Sequence, residues 1–72
     1  MAQYKETKVN VNGEWKDIKS GDVVLLNGRK LMFDWCTHQF ERWTDLTRTP
    51  EWPLGRQCNY EGGIGKVDAI VS

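Results

Sequence analysis

The sequence lacks most features that would identify a chemical reaction or a special environment. It holds two cysteines, two prolines and one histidine among 72 residues, and two cysteines are too few for the disulfide framework of a small secreted protein. No hydrophobic run approaches the roughly 20 residues that cross a bilayer, and the first residues do not begin an apolar signal segment. We therefore expect a cytoplasmic protein whose cysteines remain thiols.

The chain also lacks net charge. Its ten basic and ten acidic residues cancel, whereas a protein that binds duplex nucleic acid usually concentrates Lys and Arg on one surface. The balance is repeated within residues 35–60, where three arginines stand against three acidic residues. Non-specific attraction to DNA is therefore expected to be weak, and a larger protein is favoured over nucleic acid as the partner.

Candidate catalytic and metal-binding residues are few. Asp34, Cys36 and His38 alternate along the chain, but catalytic Cys and His residues normally converge from separate elements. A zinc site would have to combine these residues with Cys58, in a chain that has no Cys-x-x-Cys pair. The glycine-rich segment 62–66 contains a lysine yet lacks the spacing of a phosphate-binding loop. We predict that the protein is not an enzyme and requires no metal or cofactor.

What the chain does have is tryptophan. The four indoles are Trp15, Trp35, Trp43 and Trp52, and a buried aromatic ring removes roughly 150–250 Å² from water. A chain this short builds only a marginal core, so some of these rings are needed there. Trp15 and Trp35 lie in apolar runs, whereas Trp43 and Trp52 lie among Glu, Thr, Arg and Pro. At least one indole is therefore expected at a surface used for binding.

Two Asn-Gly pairs predict β-hairpins, because both residues tolerate the positive φ of a type I′ turn. At Asn27-Gly28, a two-residue loop pairs Leu26 with Arg29. One face of this hairpin then carries Val24, Leu26, Leu31, Phe33 and Trp35. The opposite face carries Val23, Leu25 and Met32. Since both faces are apolar, the hairpin is predicted to be a central element of the sheet.

The hairpin at Asn12-Gly13 has two possible registers. A two-residue loop places Trp15 on the side opposite Val9 and Val11, whereas a three-residue loop with Gly13 as a left-handed bulge places all three together. The bulged loop is preferred because it buries the indole. With a compact turn at residues 19–22, the chain from 4 to 34 is predicted to be a meander of four short strands.

Residues 36–48 change character. Phe, Trp and Leu at positions 40, 43 and 46 recur at intervals of three, which predicts a short helix with Asp34 or Thr37 as its N-cap. The alternation of residue types over 36–40 also permits a strand.

The rest of the chain completes a single domain, residues 1–72. A proline-punctuated loop at 49–55 is followed by a strand at 56–60, a glycine-rich turn at 61–65 and a final strand at 66–71. The predicted fold is mainly β (α+β), with about five strands in a small, strongly bent antiparallel sheet or open barrel and one short helix.

The candidate binding residues share the chemistry of interface hot spots, in which Trp, Tyr and Arg predominate. They are Trp43, Arg48, Trp52, Arg56 and Tyr60. Pro50 and Pro53 flank Trp52 and would reduce the entropy lost when that loop docks. Two other uses of these side chains remain open: Trp52 folds back as a lid on the core, or the rings stack on the bases of single-stranded nucleic acid.

The segment Gly21-Asp22-Val23-Val24-Leu25-Leu26-Asn27-Gly28-Arg29 resembles the KOW-type opening of small Src-homology-like barrels. That resemblance implies a strongly bent five-stranded sheet that binds RNA or the transcription apparatus through its loops. In size, neutrality and tryptophan content the chain is also similar in style to the small bacteriophage proteins that bind host enzymes, notably RNA polymerase. This second similarity implies an inhibitor or regulator that acts by occupying the surface of a larger protein. We expect the protein to be a monomer.

Overall fold

The computed structural model describes residues 2–71 and contains eight β-strands in two sheets. In chain order the strands are β1 (Glu6–Val11), β2 (Glu14–Lys19), β3 (Val23–Leu26), β4 (Arg29–Cys36), β5 (Phe40–Asp45), β6 (Arg56–Glu61), β7 (Lys66–Val67) and β8 (Ala69–Ile70). One sheet has the order β2-β1-β7 and the other β6-β5-β4-β3-β8. The mainly β prediction is confirmed, but within residues 2–71 neither sheet closes into a barrel.

The prediction of a short helix was wrong. The chain forms no helix between residues 2 and 71, and therefore none there that could cross a membrane. The middle of the segment expected to be helical is β5, which pairs with β4 on one side and β6 on the other. Burial alternates strictly along β5, with Glu41, Trp43 and Asp45 buried. Two of the three buried positions hold acidic residues. The spacing of hydrophobic residues therefore did not reveal the two-residue period of a strand.

Both Asn-Gly pairs form two-residue turns. The pairing of Leu26 with Arg29 is confirmed, but the bulged loop expected at Asn12-Gly13 was wrong, because Val11 pairs directly with Glu14. Asn12 has a φ of 53° and Gly13 a φ of 88°, as a type I′ turn requires. Trp15 consequently lies on the side away from the core and is 61% exposed.

A register shift in β4 changes the face on which Trp35 lies. Phe33 pairs with Trp43, whereas Trp35 pairs with Arg42, so Asp34 is an extra residue at a bulge. The prediction that Trp35 shares a face with Phe33 was therefore wrong. It lies, half-buried, on the outer face of the five-stranded sheet, which we define as the face turned away from the three-stranded sheet.

The core lies between the two sheets. It consists of Val9, Ile18, Val24, Leu31, Phe33, Cys36, Trp43 and Val67. The predicted final strand is divided at Asp68: β7 pairs parallel with β1 in one sheet, and β8 pairs antiparallel with β3 in the other. Asp68 donates its N–H to the carbonyl of Leu25 at 2.8 Å and accepts the N–H of Asn27 at 2.9 Å. These bonds hold the strand where it passes from one sheet to the other.

Candidate functional site

The β5–β6 loop, residues 46–55, presents two exposed large apolar side chains, one of which, Leu54, is the most exposed of that kind within residues 2–71. Trp52 is 46% exposed and Leu54 is 87% exposed. Soluble proteins do expose single apolar residues, but two on one loop, beside arginines, form a local apolar patch. The loop follows β5 and leads directly into β6, which places the patch at one end of the five-stranded sheet.

Hydrogen bonds within the loop hold it in one conformation. Thr49 and Trp52 exchange backbone hydrogen bonds at 3.1 and 3.2 Å, and the hydroxyl of Thr49 also accepts the N–H of Trp52 at 3.0 Å. Pro50 occupies the second position of this turn, where its ring preorganises φ. The N–H of Gly55 donates to the carbonyl of Trp52 at 3.1 Å. The loop is therefore ordered without help from a partner.

Arg56 packs on the face of Trp52. Its guanidinium carbon lies 5.4 Å from the centre of the indole, within the range of a cation–π interaction. Two of the predicted binding residues are thus in contact: Trp52 on the loop and Arg56 at the start of β6. Arg48 lies exposed on the same loop.

An open groove of about 450 Å³ adjoins the Trp52–Arg56 pair. Its lining residues are Arg29, Asp45, Thr47, Thr49, Pro50, Glu51, Trp52 and Arg56. Asp45 accepts a hydrogen bond from Arg29 at 3.0 Å and another from the N–H of Thr47 at 2.9 Å. Burial raises the pKa of Asp45, but these hydrogen bonds and the positive charge of Arg29 outweigh burial and hold the pKa below its ordinary value.

Two of the predicted binding residues lie elsewhere. Trp43 is fully buried, packs on Phe33 with the ring centres 5.2 Å apart, and donates its indole N–H to Glu41 at 3.0 Å. Its ring is therefore not available to a partner, contrary to the prediction that it is an interface residue. Tyr60 is half-buried against the core, and this burial raises the pKa of its hydroxyl.

Leu54 is the residue of this patch that the sequence interpretation missed. Its neighbours Pro53 and Gly55 are both turn residues, and a leucine held between them cannot take part in a regular buried face. That local context was the available signal.

A second group, of half-buried side chains, lies on the outer face of the five-stranded sheet. Trp35 and Phe40 meet edge to face with ring centres 5.5 Å apart, and the guanidinium of Arg42 lies 5.0 Å from the centre of the Trp35 ring. Arg42 also donates to Asn59 at 3.0 Å and to Gln57 at 3.4 Å. The arginine is therefore fixed over the indole by its neighbours on β6.

The residues considered for catalysis or zinc binding do not converge. Asp34 accepts a hydrogen bond from Thr44 at 2.7 Å on the outer face, whereas Cys36 is buried in the core. His38 is exposed and lies 3.1 Å from the hydroxyl of Tyr4. Burial, and next the charge of Glu41, raise the pKa of Cys36, which disfavours a reactive thiolate. Within residues 2–71 no three His, Cys, Asp or Glu side chains are grouped so as to hold a metal ion.

No protein-family profile, curated protein or solved structure matches this chain.

Proposed function

We propose that this protein is a non-enzymatic binding module that acts by occupying the surface of a larger protein through its β5–β6 loop. The observation that carries the proposal is the exposure of Trp52 and Leu54 on a loop whose own hydrogen bonds hold it in place. Neither side chain contributes to the core cluster, so their apolar surface is available for a partner.

The arrangement has the features of an interface hot spot. Such sites centre on Trp, Tyr and Arg side chains that fill pockets on the partner, and here Trp52 carries Arg56 on its face. Because the loop is already ordered by the Thr49–Trp52 turn, docking costs less conformational entropy than it would for a mobile loop. A partner with an apolar pocket and an acidic rim is complementary to the indole, to Leu54 and to the nearby arginines.

The partner class follows from the resemblances stated above, which imply the transcription machinery. We therefore propose bacterial RNA polymerase as the first partner to test. A protein of this kind would act as a regulator or inhibitor by covering a functional surface of the enzyme.

The test measures binding of purified bacterial RNA polymerase to the unmodified chain and to three variants. Trp52→Ala is expected to weaken binding by about 2 kcal/mol or more, which is about 30-fold or more in Kd. Leu54→Ser is expected to weaken it in the same direction. Trp15→Ala is the matched control, because this indole is also exposed but lies on the three-stranded sheet, and it should leave binding unchanged.

Thermal unfolding of each variant separates a binding role from a structural one. Trp52→Ala should unfold at nearly the same temperature as the unmodified chain. If it instead loses most of its stability, Trp52 acts as a lid on the core and the proposal fails. Equal retention of the polymerase by the chain and by both loop variants would also contradict it.

A second function is favoured by a different observation, the stack of Arg42, Trp35 and Phe40 on the outer face of the five-stranded sheet. Aromatic rings with arginine can hold single-stranded nucleic acid, at about 1–3 kcal/mol per stacked base, and the Trp35 and Phe40 rings are half-buried, with part of their surface accessible. Binding to a labelled single-stranded oligonucleotide at increasing salt tests this alternative. A steep salt dependence that Trp35→Ala abolishes and Trp52→Ala leaves intact would favour it over protein binding.

A further inference from the structure

The strand β6 has a free hydrogen-bonding edge. It lies at the end of the five-stranded sheet, and among residues 2–71 its one strand partner is β5. Just beyond its end, the N–H of Gly62 donates to the carbonyl of Gln39 at 3.0 Å. Hydrogen-bonded and non-hydrogen-bonded pairs alternate in an antiparallel ladder, so Tyr60, Cys58 and Arg56 direct their backbone groups toward β5.

The intervening residues direct their backbone groups away from the sheet. These residues are Gln57, Asn59 and Glu61. No backbone hydrogen bond that the described chain makes outside its strands involves any of them, so three N–H groups and three carbonyls point outward from one edge. Such a row is a template for pairing with another strand.

The other edges of the two sheets are protected. In β2, four of six residues are charged, and Lys16 is paired with Glu14 at 3.0 Å; charged residues and short length are the usual means of preventing edge pairing. The edge strands β7 and β8 have two residues each. In contrast, β6 has six residues, no proline, no register shift and no charge at its four central positions.

We propose that β6 pairs antiparallel with β6 of a second copy of this chain, about a two-fold axis that passes midway between the two Asn59 residues. A two-fold axis perpendicular to the sheet keeps the outer faces of both copies on the same side, which requires residues on the same face to stand opposite each other. Centring on Asn59 places it opposite its own equivalent and Gln57 opposite Glu61 of the second copy. This register uses all three outward-facing residues of each strand.

The side chains agree with this register. Gln57 opposite the Glu61 carboxyl group places an amide donor beside an acceptor, and no two like charges stand directly opposite each other, which would oppose pairing. On the inner face, Cys58 stands opposite Tyr60 of the second copy. Shifting the register by two residues would place Cys58 opposite its own equivalent and would leave Glu61 without a partner within the strand.

The proposed contact is small. A pair of six-residue strands buries much less than the roughly 1,200–2,000 Å² of a stable protein–protein interface. The dimer is therefore a reversible one that forms as concentration rises, and the monomer predicted from the sequence is its dilute form.

Sedimentation equilibrium over a range of concentrations tests the proposal with two variants at one position. Asn59→Pro removes an N–H that points away from β5, so the β5–β6 ladder stays complete while the outer edge loses its central donor. It should weaken dimerisation at least about tenfold, because one substitution removes a hydrogen bond from each copy. Asn59→Ala keeps the N–H and should still dimerise.

Amide hydrogen exchange on the unmodified chain gives an independent readout that needs no variant. The amides of Gln57, Asn59 and Glu61 should exchange quickly when dilute and slowly when concentrated, whereas those of Cys58 and Tyr60 should be slow throughout. A chain that stays monomeric with fast exchange at the three positions would overturn the proposal, and so would a dimer that Asn59→Pro leaves intact. A disulfide-linked dimer through Cys58 would overturn the register.

Discussion

Glu41 is one of two buried acidic residues on the inner face of β5. It is 8% exposed, and its carboxyl oxygens accept hydrogen bonds from the indole of Trp43 at 3.0 Å, the N–H of Ile64 at 2.9 Å and the hydroxyl of Thr7. These donors belong to β5, to the segment that precedes β7, and to β1. A buried polar group is tolerated when it is fully hydrogen-bonded, and this one joins three parts of the chain.

Replacement of Glu41 tests this role. Glu41→Ala leaves three donors without an acceptor, and since each unsatisfied buried group costs about 1–3 kcal/mol, the free energy of unfolding should fall by about 3 kcal/mol or more. Glu41→Gln should lower the free energy of unfolding by less, because the amide oxygen of glutamine still accepts hydrogen bonds, whereas its amide nitrogen does not. Urea unfolding followed by tryptophan fluorescence measures both.

The control for these variants is Glu14→Ala, at an exposed acidic position on β2. Its effect should stay within about 0.5 kcal/mol. The structural role assigned to Glu41 is refuted if Glu41→Ala is no more destabilising than this surface change.

At the level of elements, β5 shows why residue spacing predicted the wrong structure. Phe40 and Trp43 are three residues apart, as on a helix, yet they lie on opposite faces of a strand. The residues that share the buried face with Trp43 are Glu41 and Asp45, which by residue type read as solvent-facing. Their burial depends on donors from distant segments, and sequence periodicity contains no information about those donors.

The β5–β6 loop is closed by Gly55. Its φ is +89°, and a Cβ built there would lie 2.5 Å from the carbonyl oxygen of Asp45. Glycine is therefore required for two independent reasons, a left-handed backbone and a close approach of two segments. The Pro and Gly residues of this loop correctly predicted a turn, but its contact with the end of β5 exists only in the folded sheet.

A matched pair of glycine substitutions separates these two reasons. Gly28→Ala, at a φ of +77° with open space around it, should cost about 1–2 kcal/mol from backbone strain alone. Gly55→Ala adds a steric clash with the backbone of Asp45 and should cost about 3 kcal/mol or more. Chemical denaturation of the two variants measures the difference, and equal losses would mean that the loop shifts to accommodate the new side chain.

At the level of the whole molecule, the two sheets depend on contacts between segments far apart in sequence. Asp68 follows β7 of the three-stranded sheet and bonds to Leu25 of the five-stranded sheet and to Asn27 in its β3–β4 turn, and Arg29 joins the start of β4 to the end of β5 through Asp45. Because the Asp45 carboxyl is buried and hydrogen-bonded, its ionisation is coupled to folding of the whole molecule.

Acid should therefore destabilise the protein partly through Asp45. The folded pKa lies below the unfolded value of about 3.9, so the charged carboxylate stabilises the fold above that pH, and this stabilisation is lost as pH falls through the folded pKa. Asp45→Asn should lower stability at neutral pH and flatten the acid dependence, measured by urea unfolding at several pH values. As a control, Asp17→Asn, at an exposed position, should retain the acid dependence of stability. If Asp45→Asn shows the same pH dependence as the unmodified chain, other carboxyl groups cause the acid destabilisation.

The chain alone determined that this is a mainly β protein with hairpins at both Asn-Gly pairs, because Asn-Gly pairs and alternating apolar residues are local signals with a local physical cause. The tertiary structure decided the burial of three of the four tryptophans. Trp43 is buried because Glu41 and Phe33 receive it, Trp35 faces outward because Asp34 bulges, and Trp52 stays exposed because its loop is held by its own hydrogen bonds. Burial is a property of neighbours brought together by folding, and no residue type specifies its neighbours.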